Sequence, residues 1–312
     1  MLNKNFQGWL NENNKKDLID NFIKSLDDLN ETKLVKIDTE NLEEGRPLLY
    51  FEFIHQIKSF KNLIYFRLYD LGSSLLPLIE KKNYTSSVLI CRSLFETILI
   101  FMFRILRVSE RIENKKWKTL YIEIQNFKFV PTWKDDGDID WDKVFPHIKR
   151  FHINDAIRLF SKVLDSKKAK NVEKSLFNHY SRMSEIVHPN QANRSLYINT
   201  RDNLDLETGV NKKRRDNFSV NHADKLVFPI FIHIIELVLI FDKSAGGIVD
   251  ECLTSLEKYK QDLLNYQDND FSKDIRDINP IIMEKMDQLK KKNLNTAELV
   301  NQLVAASFKD SN

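Results

Sequence analysis

Three side chains that could do chemistry lie close together at Arg182, Glu185 and His188. Histidine exchanges a proton near neutral pH, and the planar arginine head binds phosphate oxygens through two donors at once. Apolar side chains in the same segment recur at three- and four-residue steps: Leu176, Tyr180, Met183 and Val187. This spacing predicts a helix with one core-facing stripe, and at about 100° per residue the trio lies on the outward face. Pro189 disfavours helical geometry at His188, so we expect the helix to end there.

A purely structural interpretation of the trio is also open. Arg182 and Glu185 are three residues apart and can form a surface ion pair worth a few tenths of a kcal/mol. His188 can bond a backbone carbonyl at the helix terminus. The spacing alone therefore allows either a chemical centre or a solvated helix face.

Two further charged pairs lie in strongly apolar helical segments. Arg92 and Glu96 are four residues apart, and we expect both to be partly buried and to satisfy each other as an ion pair that fixes helix register. The alternative places Glu96 beside His188, where it orients the imidazole. His233 and Glu236 present the same ambiguity. A metal site made of these four His and Glu side chains is a further alternative, but their spacing selects no metal and we expect none.

The segment Arg182-Met183-Ser184-Glu185-Ile186-Val187-His188 resembles the signature of the HEPN ribonucleases, an arginine followed at four to six residues by a histidine. The wider segment 180–189 and the helix Arg92-Ser93-Leu94-Phe95-Glu96 are similar to uncharacterised bacterial helical proteins, over residues 50 to 245. Those nucleases often carry a polar residue where this chain has Met183. The resemblance implies RNA cleavage through the 2′-hydroxyl without metal, with His188 as general acid or base and Arg182 stabilising charge on the phosphate. It also implies a composite site formed across a homodimer.

A loop predicted from Pro189 to Asn217 carries the candidate RNA-binding side chains. They are a set of cations and one aromatic: Arg194, Tyr197, Lys212, Lys213, Arg214 and Arg215. Cations can follow a phosphate backbone, and an aromatic ring can stack on a base. The alternative is an ordinary solvated loop.

The elements that position these residues are predicted to be helices. The 312 residues include only 7 glycines and 7 prolines, which disfavours sheets and tight turns. We predict an all-α, HEPN-like helical bundle with extra N- and C-terminal helices. Residues 1–45 form an N-terminal helix and linker, residues 46–266 the bundle with an inserted loop around 130–146, and residues 267–312 a helical tail. We expect a helix from Asp224 that ends at Gly246-Gly247, where glycine is a common helix stop.

Composition limits the cellular setting and the chemistry. The net charge of +3 is close to neutral, so any RNA affinity must come from local clusters. Cys91 and Cys252 lie in apolar helical patterns and are expected to be core thiols in a reducing compartment. The apolar run 226–241 is shorter than a membrane span requires, and the first residues lack a signal-peptide pattern, so we expect a cytoplasmic protein. No Gly-rich phosphate loop, Cys-x-x-Cys pair or serine-hydrolase elbow occurs, and we expect no cofactor.

Together these observations predict an endoribonuclease, with Arg182, Glu185, His188, Arg92 and Glu96 as candidate catalytic residues. The resemblance implies a bacterial toxin, a stress-response protein or an effector of anti-phage defence, with RNA as substrate, a homodimeric assembly and a partner protein or antitoxin. The alternative is a non-catalytic helical adaptor or scaffold whose charged face binds a partner protein in a defence or stress complex.

Overall fold

Helices make up nearly all of the chain that a computed structural model describes, namely residues 4–31, 49–128, 152–164, 167–187 and 227–278. No β-strand occurs within these ranges, so the prediction of an all-α bundle is confirmed. The ten helices of the described ranges are α1 (Lys4–Glu12), α2 (Lys16–Asn30), α3 (Leu49–Glu80), α4 (Tyr84–Glu113), α5 (Trp117–Lys128), α6 (Ile153–Leu164), α7 (Ala169–Val187), α8 (Phe228–Lys258), α9 (Lys260–Asn269) and α10 (Phe271–Ile278). The candidate RNA-binding loop and the inserted loop around 130–146 lie outside the described residues.

The helices group into two units that are interleaved along the sequence. The first unit comprises Met1–Leu34, Lys61–Phe103 and His152–Ile248, and the second comprises Val35–Phe60, Arg104–Phe151 and Val249–Asn312. Helices α3, α4 and α8 each contribute residues to both units. All described candidate site residues belong to the first unit.

Aromatic side chains form much of the core of the first unit. Phe6 of α1 lies against Phe228 of α8, with ring centroids 4.9 Å apart, and Tyr84 of α4 lies 6.0 Å from the same ring. One face of α4 is fully buried, with Cys91, Leu94, Phe95, Ile98 and Leu99 all 0–1% exposed, whereas its other faces are mostly half-buried and Leu89 is 48% exposed. Burial raises the pKa of the Cys91 thiol far above its ordinary value, which agrees with its prediction as a core residue.

The second unit combines an apolar core with one buried ionic cluster. Phe60 of α3 stacks on Phe127 of α5 at 4.3 Å between ring centroids. Glu123 of α5 is 4% exposed and lies 2.5 Å from an Nη of Arg107 and 3.5 Å from an Nη of Arg104. Arg104 is itself 3% exposed, and burial lowers the pKa of its guanidinium despite the nearby carboxylate. The carboxylate thus supplies a nearby counter-charge to the buried Arg104 and the partly buried Arg107.

The predicted stop at Gly246-Gly247 is wrong, because α8 continues through both glycines to Lys258. Glycine within a helix costs about 1 kcal/mol relative to alanine. Residues on both sides of the glycine pair, however, are buried along one face of the helix: Ala245, Val249 and Cys252. Burial of this face outweighs the weak helix propensity of two residues, so the segments on either side of the glycines form one continuous helix.

The apolar run that begins α8 is a buried helical segment, as predicted, with Phe228, Phe231 and Ile235 at most 1% exposed. Among the helices of the described ranges, none combines the length and the apolar character needed to cross a bilayer. Helix α3 continues from Leu49 to Glu80 with Pro77 inside it.

Candidate functional site

Helix α7 carries the centre of the predicted site, and its apolar face is buried in the first unit. Leu176, Met183 and Ile186 are buried, whereas Tyr180 and Val187 are only partly buried. The predicted stripe is therefore correct over most of its length, and near its end Ile186 is buried more deeply than Val187. Helix α6 packs along α7, and an ion pair of 3.4 Å between Arg158 and Glu173 joins the two helices. This packing fixes which face of α7 is turned outward.

Arg182 and Glu185 lie on the outward face of α7, and both side chains are exposed. Neither forms a hydrogen bond or an ion pair with another residue in the described ranges. The surface ion pair that their spacing allowed is thus not formed. Helix α7 ends at Val187, directly before His188. His188 itself lies outside the described residues, as do Arg194, Tyr197, Lys212, Lys213, Arg214 and Arg215.

Arg92 and Glu96 of α4 form the predicted ion pair, and Tyr180 of α7 completes it as a third member. The Nε atom of Arg92 donates to Oε1 of Glu96 at 2.9 Å, and its Nη2 donates to the Tyr180 hydroxyl at 3.0 Å. That hydroxyl donates in turn to Oε1 of Glu96 at 3.2 Å. The side chains of Arg92 and Glu96 are 23% and 35% exposed, so the expectation of partial burial is confirmed. We call these three residues the tyrosine anchor.

Electrostatics keep Arg92 and Tyr180 of the tyrosine anchor in the protonated states that their hydrogen bonds require. Burial lowers the pKa of Arg92, but the hydrogen bond and charge of Glu96 reverse this, and the net pKa is raised. Burial and the neighbouring carboxylate raise the pKa of Tyr180, so its hydroxyl keeps the proton that it donates. The guanidinium also lies 5.1 Å from the centroid of the Tyr180 ring, and that ring stacks on Phe95 at 6.0 Å.

The role of Tyr180 was not predicted from the sequence. Its spacing assigned it to the apolar stripe, which is correct for its ring but leaves the hydroxyl unexplained. A partly buried tyrosine hydroxyl needs a polar partner, and Arg92 and Glu96 are two partly buried charges in another apolar helix. Those complementary needs were the signal in the sequence that could have connected the two helices.

His179, the residue before Tyr180, stacks on His233 of α8. The ring centroids lie 3.9 Å apart and the ring planes differ by 11°. The Nδ1 atom of His179 and the Nε2 atom of His233 are buried and accept or donate no hydrogen bond within the described structure. Burial, the neighbouring His233 and the charge of Arg182 lower the pKa of His179 to about 4. Burial also lowers the pKa of His233, against the opposing effect of Glu236. Both imidazoles are therefore neutral at neutral pH.

His233 and Glu236 do not act as a pair, although they are three residues apart on α8. Glu236 binds the ammonium group of Lys15 at 2.7 Å, while His233 faces His179. Glu96 is likewise engaged by Arg92 and Tyr180. Among the described residues, no group of three or more His, Cys, Asp or Glu side chains is placed to hold a metal ion.

The described site thus has two parts with different chemical character. One is an exposed arginine and glutamate at the end of α7, and the other is a partly buried polar layer that joins α7 to α4 and α8. The exposed part can bind an anion or a charged partner, and the buried part fixes geometry. Comparison of the chain with protein-family models, curated proteins and solved structures found no match.

Proposed function

We propose that this protein is a metal-independent endoribonuclease in which Arg182 and His188 are the catalytic pair. The observation that carries the proposal is the state of Arg182: its guanidinium is exposed and binds no acceptor in the described structure. An exposed planar guanidinium is well suited to bind two phosphate oxygens. The helix that carries it ends one residue before His188, which supports a shared site.

The proposed reaction uses the 2′-hydroxyl of the RNA as nucleophile. His188 removes the proton of that hydroxyl, its oxygen forms a new bond to the adjacent phosphorus, and the bond from phosphorus to the 5′-oxygen breaks. The products are a 2′,3′-cyclic phosphate and a 5′-hydroxyl, the latter formed when a protonated His188 of a second copy returns a proton. Arg182 stabilises the negative charge that grows on the non-bridging oxygens. No step requires a metal or a cofactor.

The remaining predicted residues have secondary parts in this proposal. Glu185 lies about one turn after Arg182 on the same exposed face of α7. In this proposal the basic segment 212–215, with Arg194 and Tyr197, binds the RNA strand. The composite site requires a homodimer. We further propose that the protein is a cytoplasmic toxin or anti-phage effector whose activity an antitoxin restrains.

A second function, from a different class, has support from the same face of α7. Arg182 and Glu185 carry opposite charges, are exposed and are unpaired within the described structure. Such a surface also fits a complementary charged patch on a partner protein, with α7 as part of a non-catalytic adaptor or scaffold. The two functions differ in what Arg182→Lys does, because lysine keeps the charge but loses the two-pronged donor geometry.

The test is cleavage of total RNA by the purified full chain in the presence of EDTA. Arg182→Ala and His188→Ala are expected to lower the cleavage rate by roughly 100-fold or more, and Arg182→Lys nearly as much. Lys174→Ala is the matched control, because Lys174 is an exposed cation on the same helix and lies two turns before Arg182. Cleavage that survives chelation but is equally lost in Lys174→Ala, or equally retained in His188→Ala, refutes the assignment. Absence of cleavage by the unmodified protein under all conditions favours the adaptor.

A further inference from the structure

Two successive residues of α7 are attached to two different helices. Tyr180 is bonded to Arg92 and Glu96 of α4, and His179 stacks on His233 of α8. Successive residues on an α-helix point about 100° apart, so the two attachments lie on different sides of α7. Attachments on two sides resist rotation of a helix about its own axis, which a single apolar stripe resists only weakly.

The rotation of α7 matters for Arg182, which follows Tyr180 by two residues and has no bond of its own in the described structure to fix its direction. Side-chain ends lie about 5–6 Å from a helix axis, so a rotation of about 10° moves a guanidinium by about 1 Å. A displacement of that size at a reacting group can cost on the order of 100-fold in rate. Within the described structure, the contacts that can fix the direction of Arg182 are therefore those made by other residues of α7.

The polar atoms of the tyrosine anchor help to fix the orientation of α7, whereas the burial of apolar surface at this contact comes from the Tyr180 ring. The ring of Tyr180 already packs on Phe95 and under the guanidinium, and phenylalanine would keep both contacts. What the hydroxyl adds is two hydrogen bonds of 3.0 and 3.2 Å to groups that are themselves joined at 2.9 Å. Such a closed ring of charge-assisted bonds has one favourable geometry, whereas apolar packing tolerates small sliding.

We propose that Tyr180 is a positioning residue, whose hydroxyl holds α7 against Arg92 and Glu96 and thereby places Arg182 towards the phosphate; the proposal rests on the proposed nuclease function. On this assignment Arg92 and Glu96, which the sequence analysis offered as catalytic, act through Tyr180 and do not touch the substrate. Their contribution to rate passes entirely through the orientation of α7.

The experiment compares Tyr180→Phe with two other variants by hydrogen exchange and by steady-state kinetics. Tyr180→Phe is expected to speed amide exchange in peptides covering residues 176–187 by about five- to tenfold, since two charge-assisted bonds are lost. It is also expected to lower kcat about tenfold while KM changes less than twofold, because only the placement of a transition-state group is altered. Tyr69→Phe is the matched control: Tyr69 is a half-buried tyrosine of α3 in the same unit, and its variant should move neither measurement.

Glu96→Ala tests the same bonds from the other helix and covers the case in which one variant folds poorly. It should reproduce the faster exchange at residues 176–187, and the double variant Tyr180→Phe/Glu96→Ala should be no faster than the faster single variant, because the two changes remove one shared interaction. Additive effects of the two changes overturn the positioning role. So does unchanged exchange in Tyr180→Phe, and so does a loss of kcat without faster exchange, which would make Tyr180 a direct participant.

The two readouts separate this proposal from the function on which it rests. If the unmodified protein cleaves no RNA, the nuclease assignment fails, whereas the exchange measurement still decides whether Tyr180 holds α7. If the protein cleaves RNA and Tyr180→Phe changes neither exchange nor kcat, the nuclease assignment stands and the positioning role is refuted.

Discussion

Replacing His179 with phenylalanine removes one titrating ring from the contact between α7 and α8 and leaves an aromatic ring to stack on His233. In the folded protein the pKa of His179 is lowered from 6.5 to about 4, chiefly by burial and then by His233 and Arg182. The unfolded chain therefore binds the proton more readily than the folded chain at pH values between these two. Stability linked to this ring is fully present above pH 6.5 and is lost as the pH falls towards 4.

The size of the effect follows from the two pKa values. At pH 4.5, a shift from 6.5 to about 4 corresponds to about 2.5 kcal/mol of linked free energy. The His179 ring is only partly buried, so solvent screening reduces this to about 1 kcal/mol. For a chain of this size, about 1 kcal/mol corresponds to a change in Tm of about 2 °C. His233, whose pKa is lowered by burial against the opposing charge of Glu236, remains in the variant. Glu236 itself is paired with Lys15.

The assay is thermal unfolding at pH 7.0, 5.5 and 4.5, and the quantity compared is the fall in Tm between the highest and lowest pH. That fall is expected to be about 2 °C smaller in His179→Phe than in the unmodified protein, since carboxylate titrations common to both cancel. His152→Gln is the control, because His152 is an exposed histidine of the same unit and its removal should leave the fall unchanged. An identical fall in Tm for His179→Phe and the unmodified protein would refute the assignment of a buried, neutral imidazole at this contact.

Two further predictions concern stability away from the site. Gly246→Ala is expected to raise the free energy of unfolding by about 0.5–1 kcal/mol in urea denaturation, because α8 is helical there and, apart from the helix's own backbone, no described atom lies within 4 Å of an added Cβ. Gly247 has the same surroundings and should respond alike. A loss of stability in either variant would contradict the continuous helix. Glu123→Gln is expected to lower the free energy of unfolding by about 3 kcal/mol, because the buried guanidinium of Arg104 and the partly buried one of Arg107 lose the charge of a buried carboxylate beside them. Glu110→Gln, at an exposed position of α4, is the control, and equal effects in the two variants would argue against the buried cluster.

The sequence was sufficient for features that depend on local spacing. The apolar stripe of α7 could be predicted because it needs only the helical period of Leu176 and Met183. The joining of Arg92 to Glu96 followed from a four-residue separation within one helix. These predictions hold because each uses residues less than two turns apart.

Features that depend on which helices are neighbours could not be predicted in the same way. The end assigned to α8 at its glycine pair was wrong because local propensity was outweighed by the burial of Ala245 and Val249. The partners of Tyr180 and His179 lie 84 and 54 positions away, at Glu96 and His233, and no local spacing connects them. Such long-range pairings decide the orientation of the candidate site, so the sequence indicated which residues to consider but not how they are held.

The tyrosine anchor is the feature that best separates a catalytic site from a general binding surface. Partly buried charges are not the most stabilising choice for a contact between helices, because apolar side chains of similar volume often stabilise as well or better. Their distinguishing property here is that three mutual hydrogen bonds fix the angle at which α7 meets α4.

A partner protein that binds through rim charges such as Arg182 and Glu185 tolerates small changes in that angle, because exposed charges interact weakly and over a range of distances. A phosphate approaching its transition state does not tolerate them, since a displacement of about 1 Å can remove most of the stabilisation. The positioning role that we propose for the tyrosine anchor would therefore matter to the proposed nuclease, which needs accurate placement of one guanidinium, and much less to the proposed adaptor.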